Sequence, residues 1–303
     1  MKSYIGITDK DWYDLLSSSM PLDEVNFWRP SAINDFSVLK PGELFLFKLH
    51  SPINYIVGGG FFAHYSVLPL SLAWETFETL NGARSFKEMR LRIEKYRKVD
   101  EDPFNDFPIG CILLEKPFFL SKEDWIPAPY DWKNSIVQGK SYDLTSEPGK
   151  TIWKRLQDIL FQSQGIAENQ SRYGEPIPVL PRLGQGSFRV LVTDAYQRRC
   201  AFTREKTLPA LEATHIKPYS LNGTHEIKNG ILMRKDFHAL FDKGYITITP
   251  SKNIEISRRI KEEFENGREY YAYHGRIINL PISYKYYPSS ENLSWHNENI
   301  FKG

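Results

Sequence analysis

Residues 198–248 read RRCAFTREKTLPALEATHIKPYSLNGTHEIKNGILMRKDFHALFDKGYITI. Three segments decide how this part of the chain folds. LEATHI, at 211–216, is strand-like, and Pro218 ends it soon after. KPYSLNGTHEIKNG, at 217–230, is a polar loop closing on the turn dipeptide Asn229-Gly230. MRKDFHALFDKG, at 233–244, reads as a helix closed by Gly244. His238 and Asp242 are four residues apart and share one face of that helix. The order strand, loop, helix puts His215 at a strand end facing a cleft.

These group types, in this order, suit hydrolysis of a phosphodiester. That reaction needs an activated water, neutralisation of transition-state charge and help for the departing oxygen. One divalent cation does the last two jobs. A histidine deprotonates water near neutral pH because its unperturbed pKa is about 6.5. An asparagine can hold that imidazole in one orientation through a fixed hydrogen bond. Asp242 and His238 are suitable ligands for a hard or borderline cation such as Mg²⁺ or Mn²⁺.

The pattern stands as Ala213-Thr214-His215-Ile216-Lys217-Pro218, then Asn229-Gly230, then Asp236-Phe237-His238-Ala239-Leu240-Phe241-Asp242-Lys243-Gly244. It resembles the HNH, or ββα-metal, endonucleases over about 50 residues. The resemblance implies His215 as general base, Asn229 as its positioner and His238 as the third signature residue, at the metal. In one place the chain departs from the family. Many members carry an Asp or His metal ligand just before the base, and here that position is Thr214, a weak ligand. Glu212 lies two residues back, on the same expected strand face. Glu212, His238 and Asp242 are therefore expected to share the cation, with Thr214 as a further candidate.

Taken singly, each residue has an ordinary explanation. His215 alone reads as a packed histidine, Asn229 as a turn residue, and Asp242 as a cap or a partner of Lys243. Their joint order favours the nuclease reading. His225 and His296 sit in no such context and read as surface residues. Lys217 and Arg234 are candidates to hold substrate phosphates, with a plain surface role as the alternative. Arg198 and Arg199, after the amphipathic VLVTDAYQRRC, are candidates for the nucleic-acid backbone.

Composition sets bounds. The chain has 303 residues, 41% hydrophobic, with a formal net charge of +2. That suits two ordinary domains, each with its own core. A nucleic-acid surface must then come from local clustering of Lys and Arg, and such residues gather around 182–235. Two distant cysteines, Cys111 and Cys200, make no disulfide framework. They exclude a four-cysteine zinc site, and Cys200 reads as a buried small side chain rather than a ligand. The N-terminus lacks the apolar core of a signal peptide, and no apolar run approaches the roughly 20 residues of a membrane span. The expectation is a cytoplasmic protein with no membrane partner.

Residues 1–145 read as a separate α+β domain. SYIGIT, ELFLFKL, NYIVGGGFF and GCILLEKPFFL look like strands bounded by Pro, Gly and Asn. Segments 9–17, 69–80 and 85–97 look helical, the last opening on a capping-box pair, Ser85 and Glu88. Gly58, Gly59 and Gly60 mark a bulge or a close backbone approach. The mix predicts a curved sheet or small barrel with helices around it. Residues 146–187 then form a linker helix, apolar at Ile152, Leu156, Ile159 and Leu160, followed by a Pro/Gly-rich linker or strapped-down arm. The HNH domain occupies 188–303.

Many rings fall near turns in the first domain. Trp28, Arg29, Phe61, Phe62, Tyr65 and Trp74 are the candidates for a pocket holding an extruded base, against the alternative that most are core. This half resembles PUA-superfamily or EVE-type domains, small barrels that read modified nucleobases. With the C-terminal motif, the arrangement is similar to modification-dependent restriction endonucleases. That implies double-stranded DNA carrying 5-methylcytosine or 5-hydroxymethylcytosine as partner. Phosphorothioate or methyladenine DNA fits the sequence nearly as well. A homing, mobile-element or RNA-directed nuclease is a second reading. A binding protein with a silent HNH fold is a third, against which the intact His215, Asn229 and His238 argue. Double-strand cleavage by one small site predicts a homodimer, at least on DNA.

Overall fold

The computed structural model describes residues 2–32, 35–97, 102, 104–163 and 183–303, with 160–163 as backbone alone. The chain divides into two compact units, Met1–Pro181 and Arg182–Gly303.

The first unit runs β1 (Lys2–Thr8), α1 (Lys10–Ser17), β2 (Glu24–Arg29), β3 (Leu44–Leu49), β4 (Tyr55–Pro69), α2 (Leu70–Phe77), α3 (Phe86–Arg97), β5 (Pro108–Phe119), β6 (Ile126–Pro127), β7 (Gly139–Asp143) and α4 (Gly149–Ser163). The strands form one sheet in the order β2-β5-β4-β3-β1-β7, with β6 beside β4. The β1–β3 pair is parallel and the other pairs are antiparallel. Arg29, at the end of β2, donates to Gln138 Oε1 at 2.9 Å, one residue before β7. The two edge strands therefore come together and the sheet curls, with helices around it, as the sequence predicts. Register shifts in β4 follow Gly59 and Phe62. A Cβ on Gly58 would lie 2.3 Å from the Phe118 carbonyl oxygen. Both readings of the triple glycine, bulge and close approach, therefore hold.

Two apolar clusters flank the sheet. One gathers Trp12, Leu16, Val25, Phe27, Phe45, Phe47, Phe62 and Ile112. The other gathers Ile5, Leu44, Leu46, Ile56, Tyr142, Ile152 and Leu156. Ile152 and Leu156 place α4 in the first unit's own core rather than in a connecting linker. The capping box is real in outline. Ser85 Oγ accepts from the Glu88 backbone N–H at 3.2 Å, and Glu88 Oε2 accepts from the Arg84 N–H at 2.9 Å.

The arm expected at 165–187 lies mostly outside the described residues, and its last three residues open the first helix of the second unit. That unit runs α5 (Gln185–Ala195), β8 (Leu211–His215), β9 (Gly230–Arg234), α6 (Lys235–Asp242), β10 (Ile246–Ile248), β11 (Ile254–Ile256), α7 (Arg259–Phe264), α8 (Arg268–Tyr271) and α9 (Ser290–Asn299). β8 and β9 pair antiparallel, from Leu211 opposite Arg234 to His215 opposite Gly230. α6 follows β9 at once, giving a ββα unit. α5 packs across the two strands, and Gly230 allows that approach. A Cβ there would stand 2.4 Å from Val192 Cγ2 and 3.0 Å from the Phe188 ring.

Gly244, at φ +75°, ends α6. Tyr245 N–H donates to Leu240 O and Gly244 N–H to Phe241 O, the paired bonds of a Schellman cap. Phe188, Val192, Cys200, Leu232, Phe237, Phe241, Ile246 and Leu293 form the core. Cys200 is fully buried, as its small apolar character predicts. Two histidines depart from expectation. His296 is not at the surface: it is 2% exposed, stacked on Phe241 and hydrogen-bonded to Thr247 Oγ1. Its side chain joins α9 to β10 and to the end of α6. His225 is half-buried against His215.

Candidate functional site

A pocket of about 500 Å³ opens in the second unit. His215, Glu212, His238 and Asp242 all line it, with Phe188 and Arg189 from α5, Tyr219 from the loop, and His296 from α9. The strand end and the helix face predicted from spacing thus meet at one cavity.

His215 is held between rings. Phe188 stacks on it at 3.9 Å, with planes 10° apart, and its Nε2 lies 2.9 Å from His225 Nδ1. Burial pushes this imidazole down to about 4, His225 adds to that, and Asp242 opposes it. His215 is therefore neutral at physiological pH, with one N–H and one lone pair.

Asn229 does not bond to the imidazole, contrary to its expected role. It is fully buried, and its side chain is used elsewhere. Oδ1 accepts from the Lys217 N–H and from Asn292 Nδ2, both at 2.9 Å. Nδ2 donates to the carbonyls of Lys217 at 2.9 Å and Thr224 at 2.8 Å. Those four bonds match an amide's two donors and two acceptor lone pairs. The physical reason is that the loop between the strands turns inward and its backbone groups need partners. Asn229 pins both ends of the segment from Lys217 to Thr224.

His238 sits between two carboxylates. Its Nδ1 is 2.6 Å from Glu212 Oε2 and its Nε2 is 3.1 Å from Asp242 Oδ2. Burial disfavours its charge, but the hydrogen bonds to Asp242 and Glu212 outweigh that and raise its pKa. As described, the three groups are tied through the imidazole rather than converged on one point. No set of three His, Cys, Asp or Glu among the described residues has the arrangement of a metal site. The donor chemistry, two carboxylates and one imidazole, fits Mg²⁺ or Mn²⁺. Such an ion would have to displace the imidazole's proton, as metal binding to histidine generally does. Thr214 does not join this group. It pairs opposite Ile231, is 1% exposed, and its Oγ1 has no hydrogen-bond partner. It faces the core rather than the pocket.

The HNH endonuclease family model matches residues 200–249. That segment is an HNH endonuclease module. No curated protein matches the chain. Among solved structures, ASCH from Zymomonas mobilis is similar at 8% identity over 52% of this chain and 94% of that one, with a TM-score of 0.32. A modification-dependent TagI restriction endonuclease is similar at 10% identity over 93% of this chain and 76% of that one, with a TM-score of 0.29.

None of the four basic candidates lines the pocket of the HNH module. Arg234 is forked onto Asp236, at 3.0 and 2.6 Å, and lies over the Phe237 ring. Arg198 pairs with Asp194 at 3.2 Å. Lys217 lies over the Trp295 ring. Arg199 is half-buried in the turn before Cys200. The pocket's guanidinium is Arg189, on α5, which the sequence offered only as one of the basic residues gathered around 182–235, because it lies outside the motif. Phe188 was missed for the same reason, whereas His225, inside the 217–230 loop, reads in the sequence as a surface residue.

The six reader-pocket candidates of the first unit fall on both faces of its sheet. Phe62 is 5% exposed in the cluster with Val25 and Phe27. Phe61 packs against the opposite cluster, because consecutive strand residues face opposite sides. Tyr65 packs against the same cluster as Phe62. Trp28 spends its indole N–H on Asn81 O at 3.0 Å, and Arg29 is bonded to Gln138. Trp74 is half-buried on α2.

Proposed function

We propose that the HNH module cleaves double-stranded DNA with His215 as general base, one divalent ion beside it, and the first unit directing it to modified cytosine. The observation that carries the catalytic part is the meeting of a neutral, stacked His215 and the Glu212–His238–Asp242 group in one pocket. Glu212, His238 and Asp242 are the residues to hold the ion. A bound divalent ion supplies charge neutralisation at the phosphate and at the leaving oxygen.

The chain's own groups do the rest. His215 takes the proton of the attacking water. Phe188 restricts the imidazole to one plane. Asn229 keeps the loop after His215 from moving, through the backbone of Lys217 and Thr224. Arg189, in the pocket wall, suits a non-bridging phosphate oxygen. The assignment of the first unit as reader rests on the resemblance of the two-part arrangement to modification-dependent enzymes.

Matched plasmids, unmodified and carrying 5-methylcytosine, incubated with Mg²⁺ or Mn²⁺, test both parts. Preferential cutting of the modified plasmid is expected. Equal cutting of the two would remove the reader assignment, and no cutting of either would remove the nuclease.

A further inference from the structure

We propose that His225 is the positioning residue of the general base, fixing which nitrogen of His215 is free to accept a proton. This rests on reading His215 as that base. Three observations combine. His215 Nε2 and His225 Nδ1 are 2.9 Å apart. Phe188 stacks on His215 at 3.9 Å, and Tyr219 stacks on His225 at 4.5 Å with planes 7° apart. Asn229 Nδ2 grips the carbonyl of Thr224, the residue before His225. Each ring is thus clamped on a face, and the loop bearing the second is pinned.

A neutral imidazole has one N–H and one lone pair, so a bond between two of them has only two forms. If His225 donates, its Nδ1–H fills the lone pair of His215 Nε2. His215 then carries its own proton on Nδ1 and has nothing left to accept with. If His225 accepts, His215 holds its proton on Nε2 and keeps the Nδ1 lone pair for water. The second form alone gives a base. When Nδ1 takes the water proton, His215 becomes an imidazolium. Its Nε2–H still donates to His225 Nδ1, and that bond is now charge-assisted and stronger. His225 therefore does the job expected of Asn229, which works one step further out, on the loop backbone.

The test uses the full chain labelled with ¹⁵N-histidine at neutral pH, together with His225→Phe and His225→Gln. Phe keeps the ring that stacks on Tyr219 and removes the acceptor. Gln restores an acceptor oxygen. In the wild type, the His215 nitrogen shifts should report the Nε2–H tautomer. In His225→Phe that preference should be lost, and kcat on DNA should fall about 100-fold with KM little changed, a loss typical of a mispositioned base. His225→Gln should recover most of it.

A wild-type His215 in the Nδ1–H form would overturn the proposal. So would a Phe variant that keeps both its tautomer and its rate. The wild-type tautomer and the Gln variant decide the matter even if the Phe variant does not fold. An Nε2–H tautomer in a wild type that cuts no DNA would overturn the nuclease reading and leave the histidine pairing standing.

Discussion

At the residue scale, Asn229 is the side chain whose removal reaches furthest. The side chain is fully buried and makes four hydrogen bonds, so Asn229→Ala leaves backbone groups of Lys217 and Thr224 without these partners. A loss of about 2–4 kcal/mol in unfolding free energy is expected, readable by urea denaturation. A change under about 0.5 kcal/mol would show that the amide is not structural. Glu212 makes a different prediction. Glu212→Gln keeps the shape but weakens both the hold on His238 and the donor set, so the concentration of Mg²⁺ for half-maximal cleavage should rise at least about tenfold. Unchanged metal dependence would remove Glu212 from the site. The helix period made the shared face of His238 and Asp242 legible, whereas the strand period grouped Glu212 with Thr214, and it is Glu212 and His215 that line the pocket. The sequence could not show the inner bonds of Asn229, since those depend on how a polar loop folds back. Nor could it show His225 meeting His215 across ten residues of loop.

At the element scale, β2 shows why a strand can hide. EVNFWR alternates polar and apolar from Glu24 to Phe27, yet Glu24 and Asn26 are buried along with Val25 and Phe27, so the pattern does not report the strand's burial. Asn26 Nδ2 donates to Asn81 Oδ1 at 2.8 Å, while its own buried Oδ1 has no hydrogen-bond partner. Glu24 faces Glu115 across the β2–β5 ladder. Burial first, and then Glu24, push the Glu115 carboxyl up to about 8, with Lys116 opposing. Between the ordinary carboxylate range and pH 8 the folded chain thus keeps a proton that the unfolded chain has released. Stability from this group is present at low pH and is lost as pH rises toward about 8. Glu115→Gln should therefore gain about 1–3 kcal/mol relative to wild type at pH 8 and nothing at pH 4. Thermal melts across that range check it, and parallel curves for the two proteins would contradict it. The strands and helices that were legible are β1, β3, β4, β5 and α1–α3.

At the scale of the whole molecule, length pointed to two domains, and the chain divides into two compact units, at 181/182 rather than near residue 145. The helix that follows residue 145 was misassigned. It reads in the sequence as a linker helix, yet Ile152 and Leu156 complete the core of the first unit. Strand pairing sends neighbouring rings such as Phe61 and Phe62 to opposite faces of that unit's sheet. Among the described residues no helix is long and apolar enough to cross a membrane. For an enzyme that cuts both strands with one small site per chain, a dimer on DNA is expected. Light scattering at saturating DNA should give two chains per complex, and a strictly monomeric complex would contradict this.

The central claim is that the His215 imidazole activates water. Single-turnover cleavage of modified plasmid by wild type and His215→Ala, at saturating enzyme and Mg²⁺, tests it most directly. The account predicts a rate loss of at least about 1,000-fold with DNA affinity within a few-fold of wild type. Cleavage by the alanine variant at near wild-type rate would contradict it.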